Sequence, residues 1–166
     1  MLRKLLEKDA EKMYLTLTDH EINHHMRIGD ASFTLEGCKK FILSSNNDKH
    51  NVHFAIVDSD DNWVGTISLK DIDYDKKQAE YAIITCKEVH GKGYAPKATD
   101  EILEYGFNKL GLEHIYLDVI SRNEPAKKFY QKYGFKHDRT DINGITIGGE
   151  LCDLEWYYMD RKDFKR

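Results

Sequence analysis

Residues 88–95 read Glu-Val-His-Gly-Lys-Gly-Tyr-Ala, with two glycines one residue apart between an apolar run and an amphipathic one. Glycine permits left-handed dihedrals and close backbone approach, while the first amides of a helix lack intrahelical acceptors and carry the positive end of its dipole. Such a junction binds anions, and a diphosphate suits it. Other residues here could also do chemistry. Glu80 lies mid-way along the run Gln78 to Thr85, and Tyr130 lies on the apolar face of the run after Asn123. His20-Glu21-Ile22-Asn23-His24 has the His-Glu-x-x-His spacing in which two histidines hold zinc and the glutamate activates water. A zinc hydrolase using it needs a stable helix, but Thr18-Asp19 reads as a helix end and no third ligand follows.

These residues need elements to position them. Leu2 to Leu6 reads as a strand, and Asp9 caps a helix with Ala10, Met13, Tyr14 and Leu17 on one face. A polar, histidine-rich segment runs from Asp19 to Asp30, after which Thr34 caps a helix carrying Leu35, Cys38, Phe41 and Ile42. Ser44 to Lys49 reads as a loop. His53 to Val57 and Trp63 to Lys70 form a hairpin across the turn formers 58–62, and after a loop from Asp71 to Lys77 the strand Gln78 to Thr85 follows.

Beyond the glycines, Ala95, Ala98, Ile102, Gly106 and Leu110 keep helical spacing, with Pro96 in the first turn and Gly111 as C-terminal cap. His114 to Val119 is a strand, and Asn123 caps a helix with Ala126, Phe129, Tyr130 and Tyr133 that Gly134 stops. Asn143-Gly144 reads as a hairpin turn, and Leu151 to Met159 as a last, aromatic strand. The order implies a mixed α/β (α+β) fold in a single domain over residues 1–166.

Composition bounds the function. At 166 residues and 40% hydrophobic content, the chain can bury one core. A net charge of -4 gives no global attraction to nucleic acid or an anionic membrane, so neither is expected as a partner. Cys38, Cys86 and Cys152 are too scattered for a disulfide framework or zinc ribbon and read as reduced, buried thiols. The charged N-terminus does not read as a signal peptide and no apolar run is long enough to span a membrane, so the expected location is cytoplasmic.

Two stretches together resemble the GNAT superfamily of acetyl-CoA-dependent N-acetyltransferases. His90-Gly91-Lys92-Gly93-Tyr94-Ala95 resembles its pyrophosphate loop, Arg/Gln-x-x-Gly-x-Gly/Ala, with His90 in place of the usual first residue. Asn123, Ala126, Tyr130, Gly134 and Phe135 resemble its later pattern Asn-x-x-Ala-x-x-x-Tyr-x-x-x-Gly-Phe. The order of elements looks like the branch with the ribosomal-protein and spermidine N-acetyltransferases.

The resemblance implies a mostly antiparallel sheet flanked by helices, with two strands splaying apart after Glu80 to hold CoA. It implies that the amides around His90, Gly91, Lys92, Gly93, Tyr94 and Ala95 bind the diphosphate, that pantetheine pairs with backbone at Ile83, Ile84 and Thr85, and that Asn123 contacts CoA. Asn123 is equally a helix cap. By the same resemblance Glu80 removes the proton of the attacking amine, and Tyr130 protonates the departing thiolate; solvent-facing charge and core packing are their structural alternatives.

The segment with Asp19, Glu21 and His24 would border the acceptor pocket and attract a cation. The expected reaction is direct acetyl transfer from acetyl-CoA to a primary amine, on a small molecule or a peptide, without a metal. A non-catalytic CoA-binding module is the alternative. The aromatic last strand with Trp156, Tyr157 and Tyr158 offers either a core or a homodimer seam.

Overall fold

The computed structural model describes residues 1–26 and 33–165. Its strands form one seven-stranded sheet in the order β1-β2-β3-β4-β5-β7-β6, where β1 is Leu2–Lys4, β2 Val52–Val57, β3 Trp63–Asp73, β4 Gln78–Thr85, β5 His114–Ile120, β6 Lys136–Ile147 and β7 Glu150–Asp160. Neighbours pair antiparallel except β4 and β5, which are parallel. The helices are α1 (Ala10–Leu17), α2 (His20–Asn23), α3 (Leu35–Ser45), α4 (Tyr94–Glu104) and α5 (Glu124–Tyr133).

Side chains alternate across the pleat, so each face has its own helices. The Tyr81 hydroxyl shares a 2.9 Å hydrogen bond with Thr99 of α4, and its ring meets Tyr130 of α5 edge-on at 6.0 Å. On the other face Phe41 of α3 packs edge-on against His53 of β2 at 4.7 Å. The core follows: Ile67, Leu69, Ile102, Leu103, Phe107, Ile115 and Tyr157 are all buried. α5 is tied to β7 through Lys127, whose ammonium lies 3.0 Å from Glu155, and through Gln131, which donates to the Tyr157 hydroxyl at 3.3 Å.

Several elements differ from the sequence reading. The β6–β7 turn lies at Gly148 and Gly149, both with positive φ, between the paired residues Ile147 and Glu150. Asn143-Gly144 is instead a bulge inside β6: Asn143 sits at φ 51° and donates its amide to Asp153 at 2.9 Å. β3 continues to Asp73 across an irregularity at Asp71, beyond the expected end at Lys70. The long helix after the glycines changes at Tyr105–Lys109 into a π-helical turn, where Gly106 fits beneath Ile115 and Leu69. Within Asp19 to Asp30 the short helix α2 forms, while residues 27–30 lie outside the described residues.

Candidate active site

Two strands that begin as neighbours and then separate define the site. The β4–β5 ladder runs through Gln78↔His114, Ala79↔Ile115 and Glu80↔Tyr116 and ends there, although β4 continues to Thr85 and β5 to Ile120. Each stays bound to its outer neighbour, β4 to β3 as far as Thr85 and β5 to β7 as far as Ile120. Two half-paired backbone edges therefore face each other across an opening, and buried backbone groups need partners. Ile83, Ile84 and Thr85 line one edge.

The glycine loop follows β4 after a single 3-10 turn at Lys87–Val89. Gly91 and Gly93 take φ of 75° and 83°, and Gly93 is the N-terminal cap of α4. A Cβ at either glycine would meet nothing within 4 Å, so backbone dihedral rather than crowding selects glycine there. The His90 amide donates to the Lys87 carbonyl at 3.1 Å and the Lys92 amide to Val89 at 3.1 Å. Those two amides hold the turn, which leaves the amides of Gly91, Gly93, Tyr94 and Ala95 as the ones that could receive an anion; Pro96 has none to offer.

Tyr130 lies buried on the α4–α5 face of the sheet, its ring among Tyr81, Phe129, Phe135 and Tyr157. Burial, and then the Asp118 carboxylate, raise its phenol well above the ordinary value, so it stays protonated at neutral pH. Glu80 points to the other face, is 9% exposed, and lies 3.3 Å from the Lys70 ammonium. This removes the reading of Glu80 as a solvated edge charge. The two faces of the sheet thus carry a buried phenol on one side and a carboxylate on the other.

Asn123 caps α5, its side chain accepting from the Ala126 amide at 3.3 Å. Asp19 caps α2 by accepting from Glu21 at 3.0 Å, and Lys87 lies 3.1 Å from Asp19 and 3.7 Å from Glu21. The Lys87 ammonium holds the Asp19 carboxyl below its usual value. The carboxylates expected to attract a cationic acceptor thus already face an internal cation, and Asp19 lines a cleft of about 530 Å³ together with Lys12, Trp63 and Cys86 but with neither Glu21, Glu80 nor Tyr130. The His24 carbonyl accepts from Arg122 at 3.1 Å. Lys87 follows β4 and Arg122 follows β5, so α2 is tied on both sides of the splay. Sequence reasoning missed both cations, because a tie across two strand ends has no local signature.

The His20 and His24 rings lie 5.9 Å apart on the four-residue α2 and its cap. No group of three His, Cys, Asp or Glu among the described residues is arranged to hold a metal. Cys86 is buried, and burial followed by its bond to Glu88 pushes the thiol pKa up, which makes it a poor nucleophile.

A parallel strand pair that splays beside a glycine-capped helix, with a tyrosine on the following helix, is the arrangement of the GNAT acetyltransferases. Residues 1–136 match the model of the acetyltransferase (GNAT) domain, and the chain belongs to that family, the N-acyltransferases that use acyl-CoA. It is similar to the spermidine N(1)-acetyltransferases of Escherichia coli K12, with 34% identity over 70% of this chain and 68% of that protein, and of Vibrio cholerae, with 31% identity over 68% of this chain and 65% of that one. It also shares the fold of the spermidine N-acetyltransferase from Vibrio cholerae solved in complex with CoA and spermine, with a TM-score of 0.89, 24% identity and coverage of 98% and 96% of the two chains. That enzyme has also been solved as a dodecamer, with a TM-score of 0.82.

Proposed function

We propose that this protein transfers the acetyl group of acetyl-CoA to a primary amine of a polyamine by direct attack in a ternary complex. The observation that carries this is the splay after Glu80↔Tyr116, with free helix amides at one end and Tyr130 and Glu80 on its two sides. Two relatives at 31% and 34% identity are spermidine N(1)-acetyltransferases, which supports the acceptor class.

Acetyl-CoA supplies the acyl group as an activated thioester. The amides of Gly91, Gly93, Tyr94 and Ala95 hold the diphosphate, and the open edge at Ile83–Thr85 aligns the pantetheine and offers an amide to polarise the thioester carbonyl. An alkylamine has a pKa of about 10.4, so it arrives protonated and must lose a proton before it attacks. Glu80 takes that proton, directly or through water, and Tyr130 delivers its own to the departing sulfur. Lys70, with its ammonium 3.3 Å from the carboxylate, orients Glu80. The substrate-side roles of Asp19, Glu21 and His24 are indirect: they hold α2 beside the pocket.

The test is an acceptor panel that follows thiol release from acetyl-CoA with monoamines, diamines, triamines and a peptide N-terminus. Saturable release with polyamines is expected. Calorimetry that detects no heat with acetyl-CoA or CoA would overturn the proposal, and CoA binding without release from any amine would favour the non-catalytic module. The same reading includes self-association in solution, by analogy with the dodecameric relative, and a cytoplasmic location; among the described residues no helix is long and apolar enough to cross a membrane.

A further inference from the structure

The face of the sheet that carries Glu80 continues across β5 and β7 as a row of half-buried rings. Glu80 pairs with Tyr116, Tyr116 with Tyr158, and Asp118 with Trp156, so all five side chains share that face. Tyr116 and Trp156 lie 6.2 Å apart, centroid to centroid. The Tyr116 phenol is raised first by burial and then by the carboxylates of Glu80, Asp71, Asp118 and Asp73, so several acids lie near this row.

At the outer end of the row the surface already binds a cation, and it is one of its own. Arg139 of β6 stacks over Trp156, with its guanidinium carbon 4.5 Å from the ring centroid. Asp141 accepts from the Trp156 indole at 2.8 Å and lies 3.5 Å from Arg139 Nε, so one carboxylate fixes the ring and faces the charge. An aromatic face with a carboxylate at its edge is the chemistry that receives alkylammonium groups. Arg139 is held weakly: its side chain is 54% exposed, and its other partner, Asp138, is equally exposed. Ion pairs of that kind contribute little and exchange readily.

The spacing favours an extended acceptor. Asp118, Trp156 and Arg139 lie opposite one another on consecutive strands, so the Trp156 ring stands one strand, about 5 Å, from the strand that borders the splay. Three or four methylenes separate successive nitrogens of a linear polyamine and span about that distance. We propose that Trp156 and Asp141 form the subsite for the second ammonium group of a linear polyamine acceptor, and that Arg139 fills this subsite until the acceptor displaces it. The inference rests on the acetyl-transfer reading and adds the acceptor's length and charge to it.

The experiment pairs calorimetric titration of spermidine or butylamine into the CoA-bound protein with thiol-release kinetics on the same amines, for the natural protein, Asp141→Asn and Arg139→Ala. Asp141→Asn should weaken spermidine binding and lower the spermidine-to-butylamine ratio of kcat/KM by about tenfold, whereas Arg139→Ala should tighten spermidine binding about threefold. Arg139 is a surface side chain, so its variant keeps the test sound if Asp141→Asn folds poorly. Equal effects on both amines, or weaker spermidine binding in Arg139→Ala, would overturn the subsite. Spermidine binding with the expected dependence but no thiol release would leave the subsite standing and remove the acetyl-transfer reading. Thiol release with no preference for spermidine would do the reverse.

Discussion

At the scale of single residues, Tyr130 packs in the core and is the acid we propose, and one substitution separates the two. Its ring contacts Tyr81, Phe129, Phe135 and Tyr157, and its phenol is raised by burial and by Asp118. Tyr130→Phe keeps the ring and removes the proton. We expect kcat to fall by about 10²-fold or more, the range for loss of a positioned acid, while CoA affinity and melting temperature stay near their natural values. Unchanged kcat would leave Tyr130 a packing residue. The places of Tyr130 and Asn123 on α5, one buried and one at its cap, were legible because both spacing and capping chemistry mark that short helix. Lys70, Lys87, Arg122 and Arg139 were not, because each acquires its role from a partner at least 10 positions away in sequence or across a bulge whose register the sequence hides.

At the scale of elements, the shape of the splay depends on how closely β3 approaches β4. Gly65 pairs with Thr85, and a Cβ at Gly65 would lie 2.5 Å from the Ile84 carbonyl oxygen, a backbone atom that cannot rotate away. Gly65→Ala must therefore shift β4 at the residues proposed to pair with pantetheine. We expect a loss of about 1–3 kcal/mol, the usual cost of overpacking. In a domain of this size that is a fall in melting temperature of roughly 2–12 °C, accompanied by a raised KM for acetyl-CoA. A thermal scan and a KM series check both, and a variant that matches the natural protein in each would refute the close-approach argument. The sequence located these strands well because alternation and turn formers bound them. It misplaced the β6–β7 turn because Asn143-Gly144 and Gly148-Gly149 both supply positive φ, and only cross-strand register distinguishes a bulge from a turn.

At the scale of the molecule, the α1–α3 layer is fastened to the sheet partly through a half-buried histidine. His53 lies beneath Phe41, bonds to the Ser68 hydroxyl at 2.7 Å, and has its pKa lowered mainly by burial; Asp48 opposes this shift and Lys70 adds to it. His25 is also lowered, by burial and then by His24 and Arg122, where α2 meets the end of β5. A histidine with a depressed folded value binds fewer protons in the folded state than in the unfolded chain, whose value is about 6.5. Stability is therefore complete above that value and declines as pH falls through it toward the folded value. Asp19, Asp48, Asp58 and Asp61 are lowered as well, but carboxylates with values below about 4 stay ionised in this range and add no slope. We expect the melting temperature to drop between pH 7.5 and 5.5, and His53→Gln, which keeps a polar group near Ser68 without a titratable ring, to drop less over the same interval. Melting curves at several pH values decide it. A natural protein whose melting temperature is flat or rises on acidification, or a His53→Gln protein with the same slope, would show that this contact does not couple protonation to the docking of the helices on the sheet.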